Sequence, residues 1–372
     1  MPKKIFNVVE LYAGTARSVE PFKRWPRARI GLLVDNDEYA AETYKFNYPN
    51  APYHTTDLSK ISAAELEALA GGSVDILLGC PPCQGFSDNG QKKRWDSRNR
   101  HLKNFARLAI ELKPLAIAIE NVPLAAGSNA FAQFTRLLAS SGYNWTAGIL
   151  NSALYGSAQC RQRLIYIGVH ESVGCKPELP KPTHGGRRQY FNYNMRRLKR
   201  LTESKNALLG VTPATFQVRA RLPFQEGVPG NICIPRIEDV LRDLPKIGTP
   251  EAVKLNHVSW AHSKAQLRRM ARIREGGQPR VSRDYYSQSY GRLHRKGLAK
   301  TITTAFPNAG SGRYWHPTEN RSLTLREAAR LQGFPDRFAF VVPTSRAAFL
   351  VGNALDASLA KIVYRVVKNC LS

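Results

Sequence analysis

Five short apolar runs recur through the first 170 residues: IFNVVELY from Ile5, ARIGLLVD from Ala28, SVDILLGC from Ser73, AIAIEN from Ala116 and RQRLIYIGV from Arg161. Each is too short and too evenly apolar for a surface helix. Unbroken runs of this kind read as strands covered on both faces, as in a parallel sheet. Helix-like stretches separate them, among them Glu38–Asn47 and Arg98–Lys113, the second stopped by Pro114. Strand and helix in alternation predict an α/β fold, a doubly wound and mostly parallel sheet.

A chain of 372 residues has room for one such unit and a smaller one. From about Lys181 the periodicity fades into Pro-, Gly-, Arg- and Tyr-rich sequence, and the α/β style returns only near Leu323. The expected organisation is a cofactor-binding domain at 1–185, an inserted domain at 186–320, and a closing segment at 321–372. That segment is helical at Thr324–Gln332 and Ala357–Lys368 and packs back on the first domain. No internal repeat is visible.

Charge narrows the choice of partner. The formal net charge is +27, and residues 181–300 hold 25 Lys or Arg against 8 Asp or Glu, a net of +17. A concentration of this kind predicts a polyanion-binding surface, with nucleic acid the expected ligand. The opening MPKKIFNVVELYAG is too short for a signal peptide and no later stretch is long and apolar enough to span a bilayer, so a cytoplasmic protein without a membrane partner is expected. The six cysteines are then expected as reduced thiols. Only Cys80 and Cys83 come as a close pair, so no metal site is expected.

In an open parallel sheet, ligands sit at the carboxyl ends of the strands. Leu11-Tyr12-Ala13-Gly14-Thr15-Ala16 follows the first strand, and Asp35 ends the second, where a carboxylate accepts hydrogen bonds from ribose hydroxyls. Asp57 follows a third element and is placed to face an adenine. A dinucleotide needs Gly-x-Gly-x-x-Gly for its pyrophosphate, and Ala16-Arg17 stand where further glycines are required, so a nucleoside cofactor without phosphates fits better.

The third apolar run leads into Gly79-Cys80-Pro81-Pro82-Cys83-Gln84-Gly85-Phe86-Ser87, which puts Cys83 just past a strand end beside the cofactor, the position of a nucleophile. Two other readings compete: a thioredoxin-like redox pair with Cys80, or two inert core thiols. Glu120, in Glu120-Asn121-Val122, brings a carboxyl group to the same edge, where it can assist a thiolate attack. In Gln159-Cys160-Arg161-Gln162-Arg163 the alternate residues of an extended strand share a face, which predicts two guanidinium groups lining the same cleft.

At this point the sequence resembles the DNA (cytosine-5)-methyltransferase family of bacterial, archaeal or phage type. The resemblance runs through nearly the whole chain, in order: LYAGTA at 11–16, DND at 35–37, Asp57-Leu58, GCPPCQGFS at 79–87, ENV at 120–122, QCRQR at 159–163, RSLTLREAARLQGFPD at 321–336 and VGNAL at 351–355. It implies a Rossmann-like methyltransferase domain that uses S-adenosyl-L-methionine, with a DNA target-recognition domain inserted at 186–320. It also implies methylation of carbon 5 of a cytosine that has been flipped out of the duplex, since carbon 6 cannot be reached inside the stack.

Carried over residue by residue, the resemblance makes Cys83 the thiolate that adds to carbon 6, Glu120 the donor at ring nitrogen 3, Arg163 the holder of the exocyclic oxygen and Arg161 a support for the loop or the DNA backbone. Tyr12, Ala13, Gly14 and Thr15 would surround the methionine part of the cofactor, Asp35 and Asn36 the ribose, Asp57 and Leu58 the adenine, with Pro82, Leu102, Asn353 and Ala354 closing the pocket. Gln84, Ser87, Gln159, Thr301 and Arg313 would meet DNA. Arg313 belongs to the segment Ala305–Tyr314, which reads either as a base-reading loop or as a plain hairpin. The basic stretch Gln91–Arg100 reads as a loop that closes over DNA or as a solvated surface.

Departures are Ala16-Arg17 for the family's further glycines and Asp35 where Glu is commoner. The alternatives are the tRNA-acting branch of the same fold and an inactive DNA-binding relative. Against the first stands an intact CQGFS with a basic insert of over 100 residues, and against the second the retention of Cys83, Glu120 and Arg163. A monomer, with a cognate restriction endonuclease acting separately, completes the expectation.

Overall fold

The computed structural model describes residues 4–82, 100–185, 232–279 and 289–372, and the backbone of a strand at 216–218. Its strands are β1 (Phe6–Leu11), β2 (Ala28–Asp35), β3 (Tyr53–Thr55), β4 (Ile76–Gly79), β5 (Ala116–Asn121), β6 (Tyr143–Asn151), β7 (Gln159–Cys160), β8 (Gln162–His170), β9 (His184–Gly185), β10 (Phe216–Val218), β11 (Ile232–Cys233) and β12 (Ala299–Lys300). The helices are α1 (Glu38–Asn47), α2 (Ala63–Leu69), α3 (Arg100–Leu112), α4 (Asn129–Ser140), α5 (Ile237–Leu241), α6 (Pro250–Lys254), α7 (Lys264–Ala271), α8 (Leu325–Leu331), α9 (Thr344–Asn353) and α10 (Ala357–Leu371).

Eight strands form one sheet in the order β10-β6-β8-β5-β4-β1-β2-β3. Strands β3, β2, β1, β4 and β5 run parallel, whereas β8 is antiparallel to both β5 and β6. All five apolar runs of the sequence are strands here, as the α/β expectation requires. Strand β6 is an addition: Asn144, Thr146 and Gly148 interrupt its apolar run. The chain leaves β1 toward β2 on one side and returns to β4 on the other, so the loops after β1 and β4 diverge and open a crevice at their carboxyl ends.

Alternation along β1 sends Phe6 and Val8 to one face and Val9 and Leu11 to the other. The first face is covered by Leu359, Val363 and Val367 of α10. The second is covered by Phe105 and Ala109 of α3 and by Phe131 and Phe134 of α4. A third core joins Ile237, Leu293, Ile302 and Phe306 to Leu325, Phe334 and Val351, with Ala40 of α1 among them.

The run RSLTLREAARLQGFPD is a brace. Thr324 caps α8 in a capping box with Glu327, and Arg321 grips Glu327 through two contacts of 2.8 Å. Arg326 is buried and donates to the carbonyls of Leu255, Pro335 and Phe338. Burial pushes its guanidinium down to about 10, yet it stays charged at neutral pH.

One expectation is corrected. Cys175, just past β8, forms a disulfide with Cys370 near the end of α10, 195 residues away. The cysteine count could not reveal the pair, because only the return of α10 to the sheet brings the two together.

Candidate active site

The cleft is built first by the turn after β1. Gly14 adopts a left-handed φ of 50°, and so do Tyr12 (55°) and Ala16 (51°), a conformation that glycine adopts freely and a side chain resists. The turn is held from three directions. The Gly14 amide donates to Asp35 Oδ2 at 2.7 Å, the Tyr53 hydroxyl donates to the Gly14 carbonyl at 2.8 Å, and the Ala13 amide donates to the Val34 carbonyl at 3.0 Å. Asp35 Oδ1 accepts from the Asp37 amide at 2.9 Å. With the Asn36 amide as a third donor, one of the four lone-pair positions of the carboxylate stays open. Burial raises the Asp35 carboxyl, offset by these backbone donors.

The opposite wall comes from β5 and β8. Their antiparallel register sets Glu120 across from Ile165, which makes Arg163 its diagonal neighbour on the same face. Arg163 Nε meets Glu120 Oε1 at 2.6 Å, with both side chains nearly buried. The Asn121 side chain donates to the Pro81 carbonyl at 3.2 Å and so ties this wall to the loop after β4.

A cavity of about 620 Å³ joins these parts. It is lined by Tyr12, Ala13, Gly14 and Thr15, by Asp35 and Asn36, by Cys80 to Pro82, by Glu120, Arg161 and Arg163, and by Asn353 and Ala354. The expected cofactor and catalytic residues therefore share one space, except those named next. Leu58 and Leu102 are in the apolar core against which Tyr12 packs, so they shape the pocket from behind. Asp57 is outside the cavity wall, close enough to Tyr12 that its charge, after burial, raises the Tyr12 hydroxyl. Cys83, Gln84 and Ser87, with the stretch 91–99, are outside the described residues; Pro82, the last described residue before them, lines the cavity.

Gln159 takes another task than the sequence suggested, and Arg161, which lines the cavity, braces a loop of its wall. Residue 161 falls between β7 and β8, and its guanidinium donates to the carbonyls of Ile302, Gly352 and Ala354 at 3.0, 3.1 and 3.1 Å. It is a positioning residue that fixes the VGNAL segment against the cavity. Gly352 lets this segment approach, since a Cβ there would be 2.4 Å from the Thr303 carbonyl carbon. Gln159 is fully buried, donates to Gln332 Oε1 at 2.9 Å and accepts from the Ile302 amide at 2.6 Å, which leaves no surface for DNA.

Thr301 follows β12, which pairs with β7, and its hydroxyl donates to the Cys160 carbonyl. Arg313 is half-buried, with its two terminal nitrogens donating to the Gly276 carbonyl and to Gln278 Oε1, both at 2.8 Å. Here it braces a loop rather than presenting a free guanidinium. The segment around it is no plain hairpin, for it contains a 3-10 turn at Ala309–Ser311.

Sequence reasoning missed Glu10. Glu10, on the Phe6 and Val8 face of β1, is fully buried in the cavity wall and hydrogen-bonded to Ser18. Burial pushes its carboxyl up to about 8. The one charged side chain inside that strand was the available signal. The Cys80 thiol is pushed up by burial and then by Glu120 and Glu10, so it stays protonated and is a poor nucleophile. Among the described residues no group of three or more His, Cys, Asp or Glu is placed to hold a metal, and no single helix is long and apolar enough to cross a membrane.

Comparison with known proteins agrees with this geometry. The profile of the family described as C-5 cytosine-specific DNA methylase matches residues 6–369. The Type II methyltransferase M.DdeI of Desulfomicrobium norvegicum is 26% identical over 345 residues, covering 90% of this chain and 80% of that protein. The Type II methyltransferase M.XorII of Xanthomonas oryzae pv. oryzae is 29% identical over 376 residues, covering 95% and 82%. In fold, the chain matches a structure described as a DNA modification methyltransferase encoded within an E. coli prophage, with a TM-score of 0.70, 23% identity and coverage of 98% and 99%. S. pombe Dnmt2 methyltransferase follows at a TM-score of 0.64, 17% identity and the same coverage.

Proposed function

We propose, from the premise that this chain belongs to the C-5 cytosine-specific DNA methylase family and so methylates cytosine carbon 5 in DNA, a mechanism for a flipped cytosine in a short duplex sequence. Cys83 is its nucleophile. The observation that carries it is the Glu120–Arg163 pair, 2.6 Å apart, in the same cavity as the Gly14–Asp35 turn.

The residues present suit S-adenosylmethionine. The turn offers a carboxylate with a spare lone pair and no phosphate-binding glycine array, and the cavity has room for a nucleoside beside a pyrimidine ring. Asp35 and Asn36 would hold the ribose, Tyr12 to Thr15 the methionine part, and Asn353 and Ala354 the far side. The cofactor supplies a methyl group activated on a sulfonium.

On the base side, the Cys83 thiolate forms a bond to carbon 6. Glu120, in its protonated form, donates to nitrogen 3, which lets the ring accept the electron pair, and takes the proton back when the thiolate leaves. Arg163 donates to the exocyclic oxygen and, through its contact with Glu120 Oε1, holds that side chain in place. Carbon 5, now electron-rich, gains the methyl group. Loss of the carbon 5 proton to a base then returns the electrons that break the bond between sulfur and carbon 6. The base is flipped because addition needs access to the ring face.

We read residues 186–320 as the target-recognition part, the chain as a monomer, and its modification as the protecting half of a restriction system, as the names of its relatives suggest. Incubation with S-adenosylmethionine and unmethylated genomic DNA, followed by single-base mapping of 5-methylcytosine, tests the proposal. One short motif modified throughout is expected; DNA bound without any 5-methylcytosine contradicts it.

A further inference from the structure

Outside the cleft, the chain from Ala252 to Arg274 carries six Lys or Arg and no Asp or Glu. At its centre is α7, with Arg272 continuing the helical backbone as its C-cap. An α-helix turns about 100° per residue, so Lys264, Arg268 and Arg272 follow one another at steps of about 40°, a stripe roughly 12 Å long. All three are exposed, and none has an ion-pair partner among the described residues. Met270, on the other side of the helix, is buried against Ala309 and Trp315.

The ordinary explanation for basic residues in a helix is compensation of the carbonyl end of its dipole. This covers Arg268 and Arg272 but not Lys264, which is in the first turn, where the dipole opposes a cation and where this helix has no acid. The Ser263–Gln266 capping box secures that end without help from charge. Like charges at i, i+4 spacing also oppose the helix. The stripe is therefore arranged against the helix's own stability, and a polyanion is what would compensate it.

Its place in the fold is fixed by side chains that tie it to the segment that follows. The Arg313 guanidinium donates to the Gly276 carbonyl, and Ser289 Oγ donates to the Gly310 carbonyl at 2.5 Å. Arg292 joins the carbonyls of Met270 and Ile273 to those of His316 and Glu319. Thus α7 is held firmly beside the segment 305–314.

We propose that Lys264, Arg268 and Arg272 form a track for the DNA phosphate backbone outside the cytosine cleft. The cations rise about 6 Å apart along the helix, against about 3.4 Å of axis per phosphate on one DNA strand. Contacts of this kind set affinity and orientation and carry no sequence information. The inference rests on the DNA methylase reading of the cleft.

The test compares the intact chain with the triple variant Lys264→Gln, Arg268→Gln, Arg272→Gln. A second triple keeps the charge (Lys264→Arg, Arg268→Lys, Arg272→Lys), and a control removes Lys361 and Arg365, exposed on α10. Dissociation constants for a duplex are measured from 50 to 200 mM salt. Each lost phosphate contact lowers the slope of log K against log salt by about 0.9, so the Gln triple should lose roughly 2.7. Over that range the wild-type affinity should then fall about 40-fold more than the variant's. The charge-keeping triple and the α10 control should retain the wild-type slope, turnover at saturating DNA should be unchanged, and the KM for DNA should rise. An unchanged slope in a Gln triple that melts like the wild type overturns the proposal, as does a loss confined to an RNA hairpin of equal length. If the wild type itself fails to methylate the duplex, the reading of the cleft fails instead.

Discussion

Replacing Arg161 with Met separates a positioning role from a catalytic one. The side chain is buried and its guanidinium donates to three carbonyls from two distant segments. A hydrogen bond from a charged donor contributes about 1.5–3 kcal/mol, and removal of one partner leaves the carbonyls without their donor in a dry site. Part of this is offset because the guanidinium no longer has to be desolvated, so a loss of roughly 3–5 kcal/mol is expected. An unfolding entropy of about 2.1 cal/mol/K per residue converts that into a fall in Tm of about 4–6 °C for a chain this size. The assay is thermal unfolding followed by circular dichroism, with turnover measured well below the transition. Arg163→Met is the contrast: it removes the contact with Glu120 at the cavity and a bond to the carbonyl of its neighbour Gln162, so Tm should move by about 1–2 °C while turnover collapses. If Arg161→Met melts with the wild type and is nonetheless inactive, Arg161 touches the reacting groups and the bracing role is wrong.

Glu10 predicts a pH effect. Its carboxyl is held up to about 8, so between about 4.5 and 8 the folded chain keeps a proton that the unfolded chain has lost, and stability falls as pH rises through that window. Glu10→Gln should lose this dependence and, relative to the wild type, gain about 1.4 kcal/mol per pH unit across it; parallel urea midpoints for both proteins at pH 5.5 and 8.5 contradict this. Thiol titration of the unreduced, denatured chain should count four of the six cysteines, and reduction should lower Tm, since loop closure over 195 residues contributes about 5 kcal/mol; six reactive thiols before reduction refute the Cys175–Cys370 bond. Asp35→Asn should weaken cofactor binding by roughly 10- to 100-fold with duplex affinity unchanged, read by calorimetry; unaltered cofactor affinity removes Asp35 from that role.

The sheet was legible because its strands are buried on both faces and say so in unbroken apolar runs. Strand β6 escaped because polar residues interrupt its run. Glu120 and Arg163 were legible as strand-end residues, and antiparallel pairing of β5 with β8 makes them neighbours. Gln159 was misplaced for a physical reason. Strand alternation says which residues share a face but not what covers it, and here the cover comes from residues 141 to 193 positions away. The disulfide and the Arg313 brace are non-local in the same way. Glu10 was visible as the one charge within its strand, although only burial shows that it holds a proton.

The most direct test of the central claim is to trap the covalent intermediate. Duplex DNA carrying 5-fluorocytosine at the mapped target has no carbon 5 proton to lose, so after methyl transfer the adduct cannot resolve. Incubated with S-adenosylmethionine, the wild type should form one protein–DNA adduct that survives denaturation and maps by mass spectrometry to Cys83, and Cys83→Ala should form none. An adduct on any other residue, or methylation of ordinary cytosine by Cys83→Ala, contradicts the account.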